Sequence, residues 1–147
     1  MAMESPLKIL YVEDDLATRT ICSFYLKKVF SDVVTANDGE QAWAILQISL
    51  PDVLILDIEM PGMSEFSLIE KMLGRDLKVP VIITSAYHDP DTLRHAASLK
   101  VRTCFDKPFK FEALRQEIVS IASSVVAEAV THQPLPLMPI PWEPSLS

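Results

Sequence analysis

The sequence predicts an α/β domain, a doubly wound five-stranded parallel sheet with helices on both faces. Three observations lead there. Strand-like and helix-like segments alternate strictly from residue 7 to about residue 130, as they do in chains of βαβ units. The strand-like segments are near-continuous apolar runs, as burial on both faces requires. The chain has 147 residues, 49% of them apolar, which suits one domain with a substantial core.

Each element has its own signal. Residues 7–12 form a short apolar run rich in β-formers. Residues 14–30 read as a helix, with Leu16, Ile21, Phe24, Tyr25 and Leu26 as its apolar side. Residues 32–36 are a second strand. Asn37-Asp38-Gly39 is turn chemistry, and Asp38 or Asn37 can cap a helix over 40–48. Pro51-Asp52 punctuates before a third strand at 53–58. After the 60–64 loop, Ser64 is a candidate N-cap for a helix through Leu73, with Gly74 as its stop. Residues 79–85 give a fourth strand, Asp89-Pro90 opens a helix to about Leu99, and 101–105 is a weaker fifth strand. The last helix runs from 109 to about 130, with Phe111, Leu114, Ile118, Ile121 and Val125 at core spacing. Val119, Val126 and Val130 add a second apolar stripe. Residues 131–147 contain five prolines, which exclude helix and favour extended backbone. They read as a tail or linker after a domain at 1–130.

Composition excludes several functions. The formal charge of −7 argues against direct binding of nucleic acid, which needs clustered Lys and Arg. The longest apolar runs are too short for membrane insertion. No basic stretch followed by an apolar one opens the chain, so no signal peptide is expected. Cys22 and Cys104 have no metal or redox spacing and read as two reduced, buried thiols. His88, His95 and His132 have no ligand spacing and read as surface residues.

In open parallel sheets, sites form beyond the carboxyl ends of the strands. Here those ends deliver Glu13, Asp14 and Asp15 from the first strand, Asp57 and Glu59 from the third, Ser85 from the fourth and Lys107 from the fifth. Packed carboxylates repel, and one takes up a proton unless a cation neutralises them. Oxygen ligands without His or Cys favour Mg²⁺. An Asp beside such an ion is a competent nucleophile toward phosphorus, and a Lys and a hydroxyl can bind phosphoryl oxygens.

Four segments carry a resemblance: Tyr-Val-Glu-Asp-Asp at 11–15, Leu-Ile-Leu-Asp-Ile-Glu-Met-Pro-Gly-Met at 54–63, Ile-Ile-Thr-Ser-Ala at 82–86 and Phe-Asp-Lys-Pro-Phe at 105–109. In this order and spacing the chain resembles the receiver domains of two-component response regulators. The resemblance implies a flavodoxin-like sheet of strand order 2-1-3-4-5. It implies Asp57 as the phosphoacceptor, Asp14 as a direct Mg²⁺ ligand, Glu13 as the acid holding a metal-bound water, and the Glu59 carbonyl as a further ligand. It implies Ser85 as the switch hydroxyl, and Lys107 as the lysine that pairs with Asp57 and then with phosphate. The implied partner is a histidine kinase or histidine phosphotransfer protein, and the implied location is the cytoplasm. Helix 5 is a candidate homodimer surface through its second stripe. Glu59 and Tyr87 flank the approach of a hydrolytic water in that family, and Tyr87 is the expected shield. Cys104 departs from the family pattern, because an aromatic ring usually stands three residues before the lysine. An aspartyl-nucleophile phosphatase and a degenerate, binding-only receiver are the competing functions.

Overall fold

A parallel sheet with two apolar faces needs a helical layer on each, and the alternation of the chain supplies both. The structure, a computed structural model, describes residues 7–58, 64–85, 90–99, 101–107 and 109–131. In chain order the elements are β1 (Lys8–Val12), α1 (Leu16–Val29), β2 (Asp32–Ala36), α2 (Gly39–Leu46), β3 (Val53–Ile58), α3 (Ser64–Gly74), β4 (Val81–Ser85), α4 (Pro90–Ser98), β5 (Thr103–Asp106) and α5 (Phe111–Thr131). The strands are all parallel, in the order β2-β1-β3-β4-β5. The expected fold class and strand order are those observed.

Side-chain alternation divides the core in two. Leu10, Val12, Leu54, Leu56, Ile58, Val81 and Ile83 pack with α2, α3 and α4. Ile9, Tyr11, Val53, Ile55 and Ile82 pack with Leu26 and Phe30 at α1 and with Leu114, Ile118 and Ile121 of α5. Each fully buried Leu or Ile contributes about 1.5–3 kcal/mol, and β3, buried from end to end, lies at the centre. Asp57 shares the parity of Val53 and Ile55, so its side chain belongs to the α1/α5 side.

Several local expectations need correction. The thiols are not both buried: Cys22 is half-buried and Cys104 exposed. Strand β5 is an edge strand whose residues alternate between half-buried and exposed, so neither of its faces is fully covered. The apolar side assigned to α1 is mostly outside. Leu26 is buried, but Leu16, Ile21, Phe24 and Tyr25 are exposed, Phe24 by 57%. His95 is not a free surface residue, since its ring stacks on Phe66 at 4.3 Å and lies 3.5 Å from the Glu70 carboxylate. On α5, Leu114, Ile118 and Ile121 are core as expected, Phe111 is half-buried and Val119 is exposed. The Val125, Val126 and Val130 side chains lie outside the described residues, as do His88 and His132.

The end of α3 differs instructively. Gly74 closes the helix, but the residue with left-handed backbone is Asp76, at φ 58°. Leu77 N–H donates to the Met72 carbonyl at 2.9 Å and Asp76 N–H to that of Leu73 at 3.0 Å. This is a Schellman turn, with Leu77 and Met72 in the same apolar cluster. A Cβ on Gly74 would meet nothing within 4 Å. Gly74→Ala is therefore expected to stabilise the domain by about 0.5–1 kcal/mol, and Asp76→Gly by a similar amount, about 1 kcal/mol, through relief of the left-handed strain. The exposed Asp76–Lys78 pair is worth little. Urea midpoints of the two variants check this, and a lower midpoint for either contradicts the reading of the turn.

Candidate functional site

The site follows from register. Val12 is paired with Leu56, and Asp57 with Thr84, which in turn faces Phe105. One residue past Val12, Glu13 comes level with Asp57. Glu13, Asp57 and Thr84 thus form a row across the carboxyl end of β1, β3 and β4, all on the α1/α5 side. Lys107, two residues beyond Phe105, has the same parity and reaches back over the row.

The row is buried: Glu13 is 1% exposed, Asp57 3% and Thr84 2%. Lys107 Nζ lies 2.5 Å from Asp57 Oδ2 and 3.8 Å from Glu13 Oε1. Thr84 Oγ1 donates to the same Asp57 Oδ2 at 3.0 Å. Asp57 Oδ1 is buried and has no hydrogen-bond partner among the described residues. One oxygen of the carboxylate is thus doubly engaged and the other bare.

Glu13 is fixed from several sides. Its N–H donates to the Ala36 carbonyl at 3.0 Å, and Arg19 donates to its carbonyl at 2.7 Å. Its carboxylate accepts from Asp15 N–H at 2.9 Å and, at a long 3.5 Å, from the Tyr11 hydroxyl. Burial first, then the neighbouring Asp57 carboxylate, push the Glu13 carboxyl up to about 8. Burial first, then Cys22, Glu13 and Asp57, push the Tyr11 phenol upward, so it stays protonated. Asp15 is the N-cap of α1, accepting from Thr18 N–H and hydroxyl at 2.8 and 2.7 Å. Those bonds hold its carboxyl below its usual range, in keeping with the helix-opening charge read from the sequence.

The remaining expected residues fall as follows. Asp14 is exposed between Glu13 and Asp15. Ser85 is buried at the end of β4, registered with Ile58 and Asp106, and its carbonyl accepts from Lys107 N–H at 2.8 Å. The hydroxyl that reaches Asp57 is that of Thr84, which the sequence reading missed. Its signal was alternation from Ile82, which puts position 84 on the side of Asp57. Glu59 and Tyr87 lie outside the described residues. Among the described residues no three His, Cys, Asp or Glu side chains gather closely enough to hold a metal between them.

The raised Glu13 pKa has a consequence for stability. Its value rises from 4.5 to about 8 on folding, so the folded metal-free protein binds the extra proton between those limits. Stability from this group is complete below about pH 4.5 and is lost as pH rises through about 8. Ordinary carboxyls are ionised in both states above about pH 6; the histidines titrate in the same window but are common to parent and Glu13→Gln, so the difference between the two reports Glu13 between about pH 6 and 8. The urea midpoint of metal-free protein is expected to fall across that window, and Glu13→Gln to flatten it. A parent midpoint that holds or climbs there contradicts the assignment.

Comparison with known proteins places this geometry in a family. The profile described as "Response regulator receiver domain" matches residues 9–119. Sporulation initiation phosphotransferase F of Bacillus subtilis is 31% identical over 111 residues, 76% of this chain and 90% of that protein. The transcriptional regulatory protein KdpE of Staphylococcus aureus is 32% identical over 76% of this chain, which spans only 48% of KdpE. Among solved structures, the N-terminal domain of an uncharacterized Wolinella succinogenes protein superposes with a TM-score of 0.76 at 30% identity, covering 83% of this chain and 98% of that one. The Vibrio cholerae chemotaxis protein CheY4 superposes with a TM-score of 0.70 at 26% identity, covering 80% and 99%. Over the residues that build the sheet and its carboxyl-end row, the chain belongs to the response-regulator receiver domains of two-component signalling.

Proposed function

We propose that Asp57 accepts a phosphoryl group, with Mg²⁺, from a histidine kinase or histidine phosphotransfer protein. The observation that carries this is the Asp57 carboxylate itself. It is buried at the carboxyl end of the central strand, one oxygen is held by Lys107 and Thr84, and the other has no partner among the described residues. Burying a carboxylate is costly, and one left with an orphan oxygen is better explained by reaction than by structural support. Lys107 then provides charge for the incoming phosphoryl oxygens, and Ser85, at the end of β4, is the hydroxyl assigned to them after transfer.

The residues suit Mg²⁺. The donors are oxygens only, and the Glu13 carboxyl is driven toward protonation beside Asp57, as expected of an acid pair that lacks a divalent counter-charge. Mg²⁺ takes one or two carboxylates and keeps its waters, so Asp57 and Asp14 suffice as side-chain ligands. Glu13 would hold a bound water, and the Glu59 carbonyl would be a further ligand. When bound, the ion offsets the negative charge of acceptor and phosphoryl group.

Exposed apolar side chains on α1 support a protein donor. Leu16 follows directly after the Asp15 cap, Ile21, Phe24 and Tyr25 are exposed further along the helix, and the Tyr25 ring lies 5.5 Å from that of Phe111 of α5. A donor that brings a phosphohistidine to Asp57 would cover that surface. A homodimer through α5 rests on Val119 alone among the described side chains. We read residues 1–130 as the switch domain, which promotes its own phosphorylation and dephosphorylation and turns over no other substrate, and 131–147 as a tail or linker. No helix among the described residues is long and apolar enough to cross a membrane, and a cytoplasmic location is proposed with the family.

Incubation with Mg²⁺ and acetyl phosphate is expected to give one acid-stable, base-labile phosphoryl group per chain, and Asp57→Asn none. Asp14→Ala should raise the Mg²⁺ needed for half-maximal labelling. Asp15→Ala should leave that requirement near the parent's but lower the urea midpoint through the lost cap. Undiminished labelling of Asp57→Asn, labelling in excess chelator, or equal metal effects of the two variants contradicts these roles.

A further inference from the structure

We propose that Thr84 is a positioning residue for phosphoryl transfer: its hydroxyl fixes the Asp57 carboxylate so that Oδ1 faces the incoming phosphorus. The inference rests on Asp57 being the acceptor.

Thr84 is the polar break in the inner part of a strand that otherwise reads Val81-Ile82-Ile83 before it. It is 2% exposed. Val would fill nearly the same volume and suit a strand as well. A buried hydroxyl without a partner costs about 1–3 kcal/mol, so the hydroxyl matters through its bond, and that bond goes to Asp57 Oδ2 at 3.0 Å.

Lys107 cannot set the carboxylate orientation alone. An ammonium on a four-carbon stem acts as a point charge and is satisfied by either oxygen. Thr84 differs in both respects. Its side chain is short and stiff at χ1, it sits on a fully buried strand, and its Cα is registered directly opposite that of Asp57. Its hydroxyl therefore selects Oδ2, and Lys107 meets the oxygen so selected. Oδ1 is left bare on the other side of the carboxylate. In the transfer, Oδ1 forms the bond to phosphorus as the P–N bond of a phosphohistidine breaks. The imidazole leaves with the electron pair and takes a proton from solvent. Lys107 is then drawn to the phosphoryl oxygens, while Thr84 keeps its hold on Oδ2.

Thr84→Val and Thr84→Ser test this in the full chain. The readouts are the rate of phosphorylation at saturating acetyl phosphate, the donor concentration for half the maximal rate, Mg²⁺ affinity and thermal stability. Loss of aim should slow the maximal rate of Thr84→Val about tenfold, while half-saturation and metal affinity stay within about twofold of the parent. Thr84→Ser keeps the donor and should restore the rate to within about twofold. If Thr84→Val does not fold, Thr84→Ala against Thr84→Ser gives the same contrast. A parental rate without the hydroxyl overturns the proposal, as does an equal loss in the Ser variant, which would point to methyl packing. If the parent is labelled at Asp57 and the variants match it, only this inference fails. If the parent takes no label at Asp57, the acceptor reading fails and this one with it.

Discussion

An ionisable carboxylate buried at the end of the central strand of an apolar sheet is the constraint on which the site depends. Asp57 is nearly inaccessible, on a strand whose other residues are all buried and apolar. Removing such a charge from water costs several kcal/mol unless partners replace the solvent. Lys107 and Thr84 replace it on one oxygen. The other has no partner among the described residues, and the proposed phosphoryl transfer would give it one. In the proposed function Lys107 is more than a structural counter-ion, because it would also carry charge toward the place where a phosphoryl group adds more.

Sheet register makes this arrangement possible. Because side chains alternate, Tyr11, Glu13, Asp57, Thr84 and Lys107 share one face although they come from four separate stretches of sequence. A slip of one residue in β4 would exchange Thr84 for Ser85 and turn Ile82 out of its cluster. The apolar clusters on the two faces hold that register, so the packing of α1 and α5 against one side and α2, α3 and α4 against the other also aims the chemistry.

Much of this was legible in the sequence. The limits of β2 and β3 agree with the pattern of apolar residues, because strands bounded by turn formers leave little latitude. The strand order came from family resemblance, since periodicity alone does not order strands. Glu13, Asp57 and Lys107 were identified and do converge, because polar residues at the ends of apolar strands have few structural reasons to be there. Thr84 was missed because Thr is an ordinary strand residue, and only register shows that its hydroxyl meets a carboxylate. The outward face of α1 was misread because its apolar residues outnumber those its buried side can use, and periodicity cannot say which side the sheet takes. Asp76 was missed because a left-handed turn is expected at glycine, whereas here the cap forms two residues later.

The most direct test of the account is the chemical identity of the modified residue. After reaction with acetyl phosphate in Mg²⁺, borohydride reduces an aspartyl phosphate to homoserine, and peptide mass spectrometry locates the change. The account requires conversion at residue 57 alone. Conversion at Asp14, Asp15 or Asp106, or the absence of any acyl phosphate in folded protein, would contradict it.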